Sequence, residues 1–218
     1  MAAQRREIWD GVLEQPWAER LEKPRTAGLT MVIDKGIGLS QTRDLLQMAA
    51  AHIDFLKLGF GTSLIYPSEA LTRKISLAKE YGVHVYPGGT LLELAVHQGR
   101  SAAFLERARE LGFTCIEVSE GTIDLPPAKR RELIARGVEL GFCVLTEIGK
   151  KARGSRPDPA AVRARLLDDL AQGAAYVIIE GRDGGRDVGV YDPAGGMDQR
   201  LVDAILAQIS APSRIIWE

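Results

Sequence analysis

Six apolar runs in this chain end in charge. The fullest of these tips is Phe142-Cys-Val-Leu-Thr-Glu-Ile-Gly-Lys-Lys151, where an apolar stretch delivers Glu147 and then Lys150 and Lys151. The other runs end at Asp34 and Lys35, at Lys57, at Glu117 and Ser119, at Glu180 and Arg182, and at Glu218. A carboxylate at the end of a buried run is costly unless it is paired, holds a metal or meets a ligand. The five carboxylates Asp34, Glu117, Glu147, Glu180 and Glu218 suit a hard divalent cation such as Mg²⁺, which prefers oxygen donors. The lysines and Arg182 suit a small, multiply anionic substrate. Zinc is disfavoured, because His52, His84 and His97 are scattered and read as core or surface residues.

These tips meet only if their runs are strands of one sheet. The strand-like runs are Leu29–Ile33, Ile53–Leu58, Val83–Tyr86, Cys115–Val118, Cys143–Leu145, Tyr176–Ile179 and Arg214–Trp217. Their starts lie roughly 25 to 38 residues apart, the length of one βα unit. Helical spacing fills the gaps at Leu39–Ala51 and Pro67–Tyr81. Thr90-Leu-Leu-Glu93 has the form of a capping box opening the next helix. Pro126-Pro127 and Asp158-Pro159 suit two further helix starts. Gly82, Gly112, Gly141 and Gly173 fall between a helix and the next strand, where a left-handed C-cap belongs.

Such repetition predicts an α/β fold, a TIM-type (β/α)8 barrel rather than an open doubly wound sheet. The dinucleotide fingerprint is replaced after the first strand by Asp34-Lys-Gly-Ile-Gly38. In a barrel of this type the site forms at the C-terminal ends of the strands. Side-chain parity then puts Glu117 and Ser119 on one face of their strand, and Glu180 and Arg182 on one face of theirs. Only seven βα-type strands are present, so the N-terminal segment, a longer chain or a partner is expected at the eighth position. An open parallel edge invites association, hence a homo-oligomer. No linker is visible: residues 1–218 read as one barrel domain, with 1–27 an N-terminal helical segment.

Composition adds exclusions. The chain is 45% hydrophobic and 26% charged, with a net charge of -1, so no global field favours nucleic acid or an anionic membrane. No run approaches the roughly 20 apolar residues of a membrane span, and no apolar signal core opens the chain. Cys115 and Cys143 lie inside strand runs as small hydrophobes, which fits a reducing, cytoplasmic setting. Two loops complement the tips. Lys150 to Arg156 is a basic segment suited to a lid, and Gly181 to Gly189 suits presentation of backbone amides to a phosphate. Tyr86-Pro-Gly-Gly89 permits close backbone approach to a ligand or simply makes a tight turn.

Six segments in this order resemble the phosphosulfolactate synthase family. They are Leu29-Thr-Met-Val-Ile-Asp-Lys-Gly36, Ile53-Asp-Phe-Leu-Lys-Leu-Gly-Phe-Gly-Thr-Ser63, Val85-Tyr-Pro-Gly-Gly-Thr-Leu91, Ile116-Glu-Val-Ser-Glu-Gly121, Val144-Leu-Thr-Glu-Ile-Gly-Lys-Lys151 and Tyr176-Val-Ile-Ile-Glu-Gly-Arg182. The resemblance implies a TIM barrel that adds sulfite to phosphoenolpyruvate in a Mg²⁺-dependent step. The product would be (2R)-phospho-3-sulfolactate, on the way to coenzyme M or to sulfolactate. It also implies Lys151 as general acid, with Glu147 beside it in the catalytic pair. Glu117, Glu147, Glu180 and Glu218 would sit around metal and substrate, with Ser119, Lys35, Lys57 and Arg182 binding substrate. Two alternatives stand beside this reading. One is a non-catalytic, stress-protective relative; the other is a different Mg²⁺-dependent barrel enzyme acting on an enolisable carboxylate.

Overall fold

The computed structural model describes residues 11–13, 21–182, 184–207 and 209–218. The expected N-terminal helix falls mostly outside these residues, and 21–27 are irregular. Seven strands follow in chain order: β1 (Met31–Asp34), β2 (Phe55–Leu58), β3 (His84–Tyr86), β4 (Cys115–Val118), β5 (Cys143–Ile148), β6 (Tyr176–Ile179) and β7 (Ile215–Trp217). All paired neighbours are parallel, in ladders β1-β2-β3 and β4-β5-β6-β7. The two ladders meet where Thr114 N–H donates to Val85 O at 3.1 Å and Thr114 Oγ1 accepts from Val85 N–H at 2.8 Å. Among the described residues no ladder joins β7 to β1. A cavity of about 600 Å³ lies between those two edges, lined by Met31, Ile33, Ile215 and Trp217.

The helices are α1 (Leu39–Ala49), the single turn α2 (Thr62–Ile65), α3 (Ser68–Glu80), α4 (Gly89–His97), α5 (Ser101–Leu111), α6 (Pro127–Glu139), α7 (Pro159–Ala171) and α8 (Gln199–Leu206). Several start and stop signals act as the sequence suggests. Asp158 caps α7 by accepting from Ala160 N–H and Ala161 N–H. Gly82, Gly112, Gly141 and Gly173 all have positive φ ahead of a strand. The capping box does not form. α4 begins one residue earlier at Gly89, so Thr90 lies inside the helix and Glu93 turns into the protein, 2% exposed. The same interval holds two helices rather than one, because Gly99 at φ +66° breaks the run after His97.

Strand alternation divides the core in two. Outward residues such as Leu56, Val85, Ile116 and Val144 pack with Ile75, Leu105 and Ile134 of the helices. Inward residues Phe55, Tyr86, Cys115, Leu145, Ile178 and Ile216 fill the barrel interior. His84 stacks on Phe55 at 5.4 Å in the lower layer, a packing role far from the strand tips. Both cysteines are free thiols in or beside that interior.

The face that α6 lays on β4 and β5 is set by Arg130, Leu133, Ile134 and Gly137, spaced i, i+3, i+4, i+7. A Cβ added at Gly137 would lie 2.6 Å from Ile116 Cδ1 and 2.9 Å from Val144 Cγ2. Gly137→Ala is therefore expected to lose about 1–3 kcal/mol through overpacking, despite its better helix propensity. A thermal melt no lower than that of the parent chain would refute this.

Candidate active site

The charges at the strand tips rest on the apolar interior because each continues the inward parity of its strand. Phe55 leads to Lys57, Cys115 to Glu117, Leu145 to Glu147, Ile178 to Glu180 and Ile216 to Glu218. At the centre is the Lys57 ammonium, 2.8 Å from Glu218 Oε2, 3.0 Å from Glu147 Oε2 and 3.2 Å from Glu117 Oε2. Glu147 turns its other oxygen to Lys151, at 3.3 Å, and Glu180 Oε2 stands 3.5 Å from the same ammonium. Glu147 thus bridges the two lysines with one oxygen each. Its backbone is held from behind, where buried Arg130 donates to Glu147 O at 3.1 Å. Arg130 is itself fixed by Asp169 at 2.6 and 2.8 Å, a pair joining α6 to α7.

Burial and neighbouring charge push these groups apart in acidity. Burial raises Glu117 to about 8, because Lys57 offsets only part of the desolvation and Glu147 and Glu218 add repulsion. Burial likewise raises Glu180 to about 7, reinforced by Glu147. Glu147 is buried too, yet the Lys57 and Lys151 ammoniums outweigh desolvation and hold it at about 2. For Lys57 and Lys151 burial favours the neutral amine, but the surrounding carboxylates win and both are raised. The pattern is one firm carboxylate, two that keep protons near neutrality, and two firm ammoniums.

A cavity of about 260 Å³ opens onto this cluster. It is lined by Lys57, Lys151, Glu180, Arg182 and Glu218 together with the Gly59–Gly61 turn and the Pro87–Thr90 segment that leads into α4. Glycine is required at Gly89, where a Cβ would fall 2.2 Å from Ser119 Oγ and 2.6 Å from Glu117 Oε1. Arg182 stands exposed at the rim with φ +58°; its N–H donates to Glu180 Oε1 at 2.8 Å and its Nη1 to Lys151 O at 3.2 Å. Lys35 is also exposed, with its ammonium 5.7 Å from the centroid of the rim residue Phe60.

Asp34 does not join the cluster. Val32 and Asp34 share the outward parity of β1, so the Asp34 carboxylate meets Lys74 of α3 and accepts from Gly36 N–H and Ile37 N–H. It organises the turn after β1. The two loops also have specific partners. Lys150 donates to Glu120 O, Ile123 O and Asp124, turned towards the loop after β4. Gly181 and Gly189 allow close backbone approach: a Cβ at either would fall within 2.1 Å of Glu218 O or Glu180 O.

The sequence reading missed Glu93, Lys74, Arg130 and Asp169. Three of them carried a signal: Lys74 lies beside Leu71, Ile75 and Ala78, Arg130 before Leu133 and Ile134, and Asp169 after Val162 and Leu166. A charge on an apolar helical stripe points into the protein and must find a partner there.

A family model described as (2R)-phospho-3-sulfolactate synthase (ComA) matches residues 18–218. The chain belongs to the phosphosulfolactate synthase family. The phosphosulfolactate synthase of Methanocaldococcus jannaschii is 38% identical over 197 residues, 88% of this chain and 76% of that protein. Those of Methanothermobacter thermautotrophicus and Bacillus subtilis are 36% and 33% identical, each over 91% of this chain and 78% of theirs. Family membership makes the chain an enzyme of the carbon–sulfur lyase type. Solved structures with the same architecture include a phosphonopyruvate hydrolase complex with oxalate and Mg²⁺, at TM-score 0.55 and 13% identity, covering 87% of this chain and 66% of that one. A lyase/mutase described as putative from Burkholderia cenocepacia superposes at TM-score 0.53 and 16% identity, over 88% and 68%. These structural likenesses establish the fold only.

Proposed function

We propose that this member of the family adds sulfite to phosphoenolpyruvate in a Mg²⁺-dependent step, giving (2R)-phospho-3-sulfolactate for coenzyme M or sulfolactate formation. The observation that carries the reading is Lys151, a firmly protonated ammonium on the cavity wall between Glu147 and Glu180. Sulfite forms its carbon–sulfur bond at the methylene carbon, and the displaced π electrons move towards the substrate carboxylate. The resulting carbanion-like carbon needs one proton from one face, which a positioned ammonium supplies. Arg182 and Lys35 at the rim would draw in two anions that repel each other. Lys57, engaged by three carboxylates, orders the site and is poorly placed to serve as a free anion binder.

The residues fit a hard dication. Glu117 Oε2, Glu147 Oε1 and Glu180 Oε2 are buried without a hydrogen bond, each facing only a lysine ammonium at ion-pair distance among the described residues. Fully ionised, the four carboxylates would exceed the two ammoniums by two negative charges, so a bound Mg²⁺ would balance the site once Glu117 and Glu180 gave up the protons they hold near neutrality. Among the described residues no three such side chains are already drawn into metal-ligating geometry, so holding the ion requires the lysines to give way. Glu117, Glu147 and Glu180 would hold it, and a bound Mg²⁺ would act as a Lewis acid towards the substrate carboxylate. The two free thiols fit a reducing, cytoplasmic setting.

The test is a ³¹P NMR assay of the purified chain with phosphoenolpyruvate, sulfite and Mg²⁺. The expected result is a new phosphate-ester resonance that requires all three. If folded protein yields no such ester, or yields it without sulfite, the proposed reaction is wrong.

A further inference from the structure

The inner face of α4 carries Gly89 and, one turn later, Glu93. Gly89 N–H donates to Glu117 Oε1 at 2.8 Å. Glu93 Oε1 accepts from the Ser119 hydroxyl and from Gly121 N–H at 3.0 Å; its Oε2 accepts from Thr122 N–H at 2.7 Å and from the Thr122 hydroxyl. Four residues of helix advance about 6 Å and two residues of strand about 6.6 Å. The helix therefore grips two successive inward residues at the β4 tip, Glu117 and Ser119.

We propose that Glu93 is the positioning residue of the site: it holds the Ser119 hydroxyl as a donor and fixes the Gly121 wall against which Lys151 lies. A carboxylate offers about four lone-pair sites, and four donors fill those of Glu93. Glu93 has nothing left for a metal or substrate. Ser119, buried at 2% exposure with its proton directed at Glu93, has only lone pairs left to offer any other group. With that proton committed it is suited to a cation, and not to donating a hydrogen bond in the substrate-binding role expected from sequence. Gly121 carries the effect to Lys151. A Cβ there would fall 2.6 Å from Lys151 Cε, and Gly121 O accepts from Lys151 N–H at 3.4 Å.

The catalytic part of this inference rests on the proposed reaction; its geometric part does not, and the experiment separates them. Glu93→Gln keeps the volume but turns one acceptor oxygen into an amide donor, so one pair of donors loses its partner. The kcat is expected to fall about 30-fold with little change in KM, within the range for losing a group that orients site residues. In substrate-free protein, acetylation of Lys151 by acetic anhydride, read by peptide mass spectrometry, should become several-fold faster. Ser119→Ala should reproduce part of the kcat loss, and the double variant should be no worse than Glu93→Gln alone. Unchanged labelling of Lys151, or kcat losses that simply multiply, would overturn the proposal. If Glu93→Gln does not fold, Thr122→Val removes one donor from the same carboxylate. It should speed labelling in the same direction to a smaller extent, and no change would again overturn the idea. Failure of the sulfite assay would leave the labelling arm intact.

Discussion

Lys151→Ala is expected to lower kcat by about 10³-fold while leaving the fold intact, in the middle of the range for removing a general acid. The ammonium side chain is 26% exposed and is reached from the cavity, so its removal opens no core void. What it leaves is a charge problem at Glu147 and Glu180. Glu180 resolves this by keeping its proton, since burial and Glu147 already raise it to about 7. Lys151→Arg should not restore the rate, because a guanidinium with a pKa above about 12 is a poor proton donor. The carboxylates that hold Lys151 protonated also make it a weak acid in the free enzyme. A dication held by those carboxylates would lower it again. The ³¹P NMR assay reads the loss directly. A rate for Lys151→Ala within tenfold of the parent would move the acid to another residue.

Much of this was legible in the sequence because strand parity is a strict rule. Each apolar run fixed which residues face inward, and Lys57, Glu117, Glu147, Glu180 and Glu218 continue that alternation past the apolar layer. The same rule would have removed Asp34, which has the parity of outward Val32 and pairs with Lys74. Asp34 looked like its neighbours only because tip position was weighed without face. Glu93 was obscured for a different reason. Thr-Leu-Leu-Glu satisfies the capping-box pattern, but Gly88 at φ +76° starts the helix one residue early and sends the glutamate inward. The lysines posed a further limit. Sequence shows cations near carboxylates but not which are already engaged, and Lys57 proves to be enclosed by three.

That enclosure makes Lys57→Met the substitution with the largest expected effect on stability. Methionine matches the stem of the lysine but leaves Glu117, Glu147 and Glu218 without their shared cation. Breaking a buried ion pair from one side typically costs about 3–5 kcal/mol. The loss should depend on pH in a definite direction. Glu117 in the folded parent holds its proton up to about 8, against an ordinary value near 4.5. Between those values the folded state binds a proton that the unfolded state lacks. This contribution is complete below the ordinary carboxylate range and disappears as pH rises through 8. Lys57 is what keeps Glu117 from rising further, so the variant should fall more steeply than the parent over the same interval. Urea unfolding at pH 5.5 and 8.5 should show the larger deficit at the higher pH. Added Mg²⁺ should recover part of it there, by supplying a cation to the same carboxylates. A deficit that is independent of pH, or larger at 5.5, would mean that Lys57 contributes packing rather than charge.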